Sequence, residues 1–70
     1  MDEQELLHQI SVDTNVNIEL LKDLSHNEAF RVLILDGKTT DAVLRIRADC
    51  PRVGLREAKK IAEAFAAAWK

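Results

Sequence analysis

The sequence predicts an α+β fold: a small α-β-β-α-α domain in which three helices pack on one face of an antiparallel β-hairpin. Three patterns lead to this prediction. Residues 54–69 repeat apolar side chains at three- and four-residue steps, which is typical of an amphipathic helix. Residues 29–35 contain an almost continuous apolar run, which is typical of a central strand. Residues 15–21 alternate apolar with polar side chains, the period of a half-buried strand.

The first predicted element is a helix over residues 2–12. Leu6, Leu7 and Ile10 have helical spacing. The acidic residues ahead of them suit the positive end of a helix dipole. The turn-forming sequence Asp13-Thr14-Asn15 then separates this helix from the next element.

The two predicted strands cover residues 15–21 and 29–35, joined through Lys22–Glu28. A lone strand leaves its backbone polar groups unpaired, so each supplies the other with a partner. The first strand has a competing interpretation as a helix that starts at Asn17. That helix would place Ile18, Leu21, Leu24 and Ser25 on one face, and short apolar runs do not decide between the two.

The fourth predicted element is a helix over residues 40–49. The dipeptide Asp36-Gly37 is also a hairpin signal, which would make residues 42–47 a third strand. The helix is preferred because Thr39 or Thr40 is a suitable N-cap and because apolar residues recur at helical spacing. Pro51 ends this helix, since it disfavours helical backbone at the residue before it.

The last predicted helix covers residues 54–69 and has the clearest periodicity. Its predicted buried stripe consists of Leu55, Ala58, Ala62, Phe65 and Trp69. Charged side chains lie opposite this stripe, namely Arg56, Lys60 and Glu63. The sequence therefore predicts that both aromatic residues of this helix belong to the core.

Composition indicates one soluble domain over residues 1–70. Its 47% hydrophobic and 31% charged residues are ordinary for a globular chain, and no apolar run is long enough to span a membrane. The acidic N-terminus is unlike a basic signal peptide. One cysteine, Cys50, permits no internal disulfide and suits a reducing compartment. These features predict a cytoplasmic protein, and they leave its oligomeric state open.

Charge is distributed unevenly along the chain. Residues 1–30 hold seven acidic residues and one lysine, a net charge of −6, whereas residues 31–70 hold nine basic and five acidic residues, a net charge of +4. Such asymmetry can steer an acidic partner towards the basic half. It is equally explained if the two halves complement each other within the fold.

No pattern predicts catalysis, a cofactor or a metal. His8 and His26 lie in unrelated segments, and Cys50 falls at the end of a helix, where the dipole disfavours a thiolate. These three residues lack the paired spacings of structural zinc sites, and no glycine-rich phosphate loop is present. The sequence therefore predicts a binding protein rather than an enzyme.

The stretch Gly54-Leu55-Arg56-Glu57-Ala58-Lys59 resembles the Gly-Leu-Lys-Glu-Ala-Lys signature in the C-terminal domain of bacterial ribosomal stalk protein L7/L12. Residues 30–35, Gly37 and residues 42–45 look like the strand, glycine and helix that precede that signature in the family. The family's closing helix and strand resemble residues 2–10 and 16–20, which would make this chain a circular permutation. The family's dimerisation domain and hinge have no counterpart here.

The resemblance implies a small protein-binding module of bacterial or phage origin that acts in translation. In that family the helix pair around the signature docks translation factors, and the matching positions are Ala42, Val43, Arg45, Gly54, Leu55 and Lys59. Neighbouring cations join them as candidate partner-binding residues, namely Arg47, Arg52, Arg56 and Lys60. Ala48 and Asp49 depart from the family pattern, which has a basic residue and a glycine there.

Nucleic-acid binding is the alternative function. The segment 40–60 would then act as a basic helix-turn-helix-like element that contacts phosphates through its arginines and lysines. The isoelectric point of about 5.6 and the acidic first half disfavour this alternative. The partner expected from the sequence is therefore an acidic protein, for example a translation factor.

Overall fold

Residues 2–69, which the computed structural model describes, form five α-helices and no strand. The helices are α1 (Glu3–Thr14), α2 (Ile18–His26), α3 (Glu28–Leu35), α4 (Thr39–Asp49) and α5 (Leu55–Trp69). Helix α5 contacts α1, α3 and α4, and its contact with α4 is the most extensive in the fold. The predicted α+β class with its β-hairpin is therefore wrong, and the described part of the chain is all-helical.

The first predicted strand, residues 15–21, is replaced by a turn and the start of α2. Asn15 ends α1 in the left-handed conformation, with φ of 58°, which asparagine tolerates better than most residues. Asn17 then caps α2, because its side-chain oxygen accepts a hydrogen bond from the backbone N–H of Glu19 at 2.9 Å. Leu21 and Leu24 are buried at helical spacing. The competing interpretation, a helix starting near Asn17, was the correct one.

The second predicted strand, residues 29–35, is helix α3. Asn27 accepts a hydrogen bond from the backbone N–H of Phe30 at 3.1 Å and so caps the helix. Phe30 and Ile34, four residues apart, are fully buried, whereas Val32 and Leu35 on the opposite side are half exposed. The segment thus contains more apolar residues than its buried face requires. These additional apolar residues give the continuous run that is typical of a strand.

Asp36-Gly37 terminates α3 instead of turning a hairpin. Gly37 has φ of 79°. Its N–H donates to the carbonyl of Ile34 at 3.1 Å, and the N–H of Lys38 donates to the carbonyl of Leu33 at 2.9 Å. This pair of bonds is the Schellman motif, which needs a left-handed residue that glycine adopts without steric cost.

Three helices lie where the sequence predicted them, with small differences at their ends. The predicted ranges 2–12, 40–49 and 54–69 correspond to α1, α4 and α5. The N-cap prediction at Thr39 or Thr40 is wrong, because Lys38 occupies that position and makes no side-chain capping bond. Within α5, Ile61 is buried with Ala58, Ala62 and Phe65, whereas Leu55 is exposed.

An aromatic cluster anchors the C-terminal end of α5. The rings of Phe30 and Phe65 are fully buried and meet edge to face, with centroids 5.6 Å apart. Trp69 is only partly buried, and its ring centroid lies 4.6 Å from that of Phe65 and 6.1 Å from that of Phe30. The cluster joins α3 to α5 and leaves part of the tryptophan accessible to solvent.

Candidate functional site

The turn between α4 and α5 holds the two helices of the candidate site together. Cys50 precedes Pro51 with φ of −133° and ψ of 76°, a non-helical conformation that ends α4. The side chain of Val53 is buried, and its N–H donates to the carbonyl of Cys50 at 3.0 Å. This valine fixes the turn to the core although sequence analysis gave it no role.

Ala42 and Val43, two residues selected by the family resemblance, lie inside the core. Ala42 is 0% exposed and Val43 is 5% exposed. Their side chains pack beneath the surface with Ile46, so a partner cannot touch them while α4 keeps this position. They contribute to a binding surface by fixing the position of α4 against its neighbours.

Arg45 and Arg47 do not share one face of α4. Residues two positions apart in a helix point in nearly opposite directions around its axis. Arg45 Nε lies 3.3 Å from Asp49 Oδ2, the one ion pair among residues 2–69, and both side chains are exposed. Arg47 lies in the last turn of α4, where a cation also suits the helix dipole. Of the two, Arg47 has its charge more available to a partner.

Leu55 and Lys59 form the clearest exposed apolar and basic pair in the predicted site. Leu55 is 53% exposed although it is a large aliphatic residue at the start of a well-packed helix. Lys59 follows four residues later and is therefore its neighbour on the helix surface. Arg52, Arg56 and Lys60 are also exposed, and Arg56 and Lys60 lie further around α5.

Gly54 lies close to the Glu57 side chain, and its backbone angle does not require glycine. A Cβ placed on Gly54 would lie 2.5 Å from Glu57 Oε2. The Glu57 carboxylate thus lies against the start of α5, where it favours the positive end of the helix dipole. By rotation around the helix it lies on a different flank from Leu55 and Lys59.

Leu44 is an exposed residue that sequence analysis did not include in the site. It is 57% exposed on α4 and lies three residues before Arg47, so these two side chains are neighbours. The helical phase could have revealed it, because Val43, Ile46 and Cys50 define the inner face and Leu44 falls outside it. Each helix of the pair thus presents one exposed leucine beside one cation.

Other chemistry in the described residues is limited. Burial raises the pKa of the Cys50 thiol, and the carboxylates of Asp49 and Asp23 raise it further. His8 and His26 are exposed on different helices. Within residues 2–69, no three His, Cys, Asp or Glu side chains are grouped so that they could hold a metal ion. None of the five helices combines the length and apolar character needed to cross a membrane.

Comparison with known proteins provides no relative from which a site could be transferred. No protein-family model, no curated protein and no solved structure matches this chain. The candidate site therefore rests on the resemblance in the signature segment and on the geometry of its residues.

Proposed function

We propose that this protein is a small protein-binding module of the cytoplasm that docks an acidic partner through the α4–α5 helix pair. The observation that carries the proposal is the exposure of Leu55 beside Lys59. Partner surfaces combine an apolar anchor, which is buried on binding, with charges that orient the encounter. Leu44 beside Arg47 offers the same combination on α4.

The rigidity of the helix pair supports the same function. Helix α4 has its most extensive contact with α5, and the buried side chain of Val53 fixes the connecting turn to the core. A partner would thus meet side chains on a preformed surface, which limits the entropy lost on binding. Ala42 and Val43 support this surface by packing α4 against the core, and they do not touch the partner.

The identity of the partner comes from the resemblance to ribosomal protein L7/L12. With α2 and α3 helical, that resemblance depends on the helix pair and on the signature Gly54-Leu55-Arg56-Glu57-Ala58-Lys59. The same segment docks translation factors in the family. A translation factor with an acidic surface is therefore the partner that we propose.

The test is binding of purified bacterial translation factors to the immobilised protein, measured at low and at physiological salt. The variant Leu55→Ser with Lys59→Glu should weaken capture by about tenfold or more, because it removes the apolar anchor and reverses one charge. Lys22→Glu makes the same charge change on an exposed lysine of α2 and is the matched control. Equal capture by all three proteins would contradict the proposal.

Mixed-sequence DNA and RNA, added in parallel at low salt, test the nucleic-acid alternative. Phosphate contacts are strongest at low ionic strength, so binding that disappears as salt rises would favour that alternative. The aromatic residues of α5 give it little support, because Phe65 is fully buried and Trp69 packs against Phe65 and Phe30. Phe65 is therefore closed to bases, and only the exposed part of Trp69 is left for stacking on that helix.

A further inference from the structure

A groove at the C-terminal end of α5 has the features of a second, independent binding site. It has a volume of about 550 Å³, within the roughly 300–1,000 Å³ typical of small-molecule sites. Three helices line it, and it will be called the Trp69 groove. Its lining residues are Glu3, Leu6, Arg31, Ala64, Ala67, Ala68 and Trp69.

The apolar wall of the groove is built from small side chains beside one large ring. Alanines at three positions of α5 leave the space open, and Leu6 of α1 closes the far side. Trp69 is held in place by its contacts with Phe65 and Phe30. Since packing fixes the ring before any ligand arrives, this wall is already organised for an apolar group.

Arg31 supplies a fixed positive charge at the edge of the same groove. Its guanidinium carbon lies 4.8 Å from the centroid of the Trp69 ring, a cation–π contact. Its Nη1 donates to the carbonyl of Ser25 at 3.1 Å. A guanidinium has five N–H donors, and among residues 2–69 this is the one hydrogen bond that Arg31 makes through its side chain. Its remaining donors are available to a carboxylate, the group whose geometry they match best.

Glu3 adds a carboxylate to the groove, which disfavours a ligand with more than one negative charge. It lines the groove but forms no ion pair with Arg31 within the part of the chain that the structure describes. A second anionic group on the ligand would be repelled by this carboxylate. We therefore propose that the Trp69 groove binds a small apolar monocarboxylic acid, with its hydrocarbon part against Trp69 and the alanines and its carboxylate on Arg31.

The single tryptophan gives a direct readout, because the chain contains no tyrosine and its fluorescence comes from Trp69 alone. The probes are 4-phenylbutyrate and its uncharged analogue 4-phenylbutanol. A ligand of this size should bind with a dissociation constant on the order of 1 mM. The acid should change the fluorescence of Trp69 and bind about tenfold more tightly than the alcohol, since a hydrogen bond to a charged group adds roughly that factor.

Variants separate the parts of the site. Arg31→Gln should remove the preference for the acid, whereas Lys38→Gln, which neutralises an exposed cation at the start of α4, should leave it unchanged. Ala68→Leu should fill the groove and abolish binding of both probes, and Glu3→Gln should tighten binding of the acid. Circular dichroism checks that each variant is folded. Unchanged fluorescence of the folded wild-type protein at about 10 mM acid, or equal affinity for acid and alcohol, would overturn the proposal.

Discussion

Replacing Phe65 with alanine should unfold most of the protein at 25 °C. The Phe65 ring is 0% exposed and packs against both Phe30 and Trp69, so its removal leaves a cavity where α3 meets α5. Truncating a buried phenylalanine costs about 3–5 kcal/mol. A domain of this size has a total stability of roughly 3–5 kcal/mol. The loss is therefore comparable to the whole free energy of unfolding.

Trp69→Ala should lower the free energy of unfolding by less than Phe65→Ala does. A fully buried tryptophan would give a larger loss. Trp69 is partly exposed, so only part of its transfer free energy is lost on truncation. The edge contact with Phe30 contributes about 0.5–1.5 kcal/mol, and the exposed cation–π contact with Arg31 contributes about 0.5–1 kcal/mol. With the contact to Phe65 and the transfer free energy of the buried part of the ring, the total is about 2–3 kcal/mol, which leaves a folded but weakened domain.

Urea melts followed by circular dichroism measure both effects. With a slope of about 1 kcal/mol per molar urea, Trp69→Ala should lower the midpoint by about 2–3 M, while Phe65→Ala should show almost no folded baseline. Lys60→Ala, an exposed change on the same helix, is the control and should alter stability by less than about 0.5 kcal/mol. A midpoint for Phe65→Ala near that of the wild type would refute this account of the packing, as would a larger loss for Trp69→Ala.

Three further predictions concern backbone and thiol chemistry. Gly37→Ala should destabilise the protein by about 1 kcal/mol because Gly37 has a positive φ. Gly54→Ala should have a smaller effect, since the flexible Glu57 carboxylate can move aside. Chemical denaturation of both variants checks which of the two loses more stability. Asn27→Ala should cost about 1 kcal/mol by removing the cap of α3, and amide exchange at Phe30 should accelerate if the cap acts as described. The pKa of the Cys50 thiol is raised in the folded state, so the neutral thiol contributes to the free energy of unfolding at neutral pH, and this contribution is lost as the pH rises through the folded pKa. Cys50→Ala should remove this loss of stability at alkaline pH. Identical profiles of stability against pH for the variant and the wild type would contradict the prediction.

Sequence reasoning located three of the five described helices, α1, α4 and α5, but not the fold class, because short apolar runs fit two periodicities. In α3 the run contains buried residues four apart and exposed residues between them, and nothing in the run itself marks which are which. The deciding information lay in the flanking residues. Asn27 is an N-cap, and Gly37 is a helix C-terminal glycine as readily as a hairpin glycine. Weighting those two signals together would have favoured a helix.

The candidate site was only partly predictable for a related reason. A motif selects residues by their position along the chain, whereas a partner meets them by their position around a helix. Ala42 and Val43 match the family pattern but face the core, and Leu44 between them and the basic residues faces outward. Once the helical phase of α4 is fixed by its buried side chains, the exposed residues follow from geometry.

The two proposed binding sites can be separated by experiment because α5 holds them at opposite ends. Leu55 begins the helix and Trp69 ends it, so at 1.5 Å per residue they lie about 21 Å apart along its axis. Variation at Leu55 and Lys59 should therefore leave the fluorescence response of Trp69 to 4-phenylbutyrate unchanged, and Arg31→Gln should leave capture of a translation factor unchanged. Loss of both activities in either variant would mean that the change had disturbed α5 as a whole. The urea midpoint of that variant would identify such a disturbance directly, since sites this far apart contribute nearly independently unless the shared helix itself is weakened.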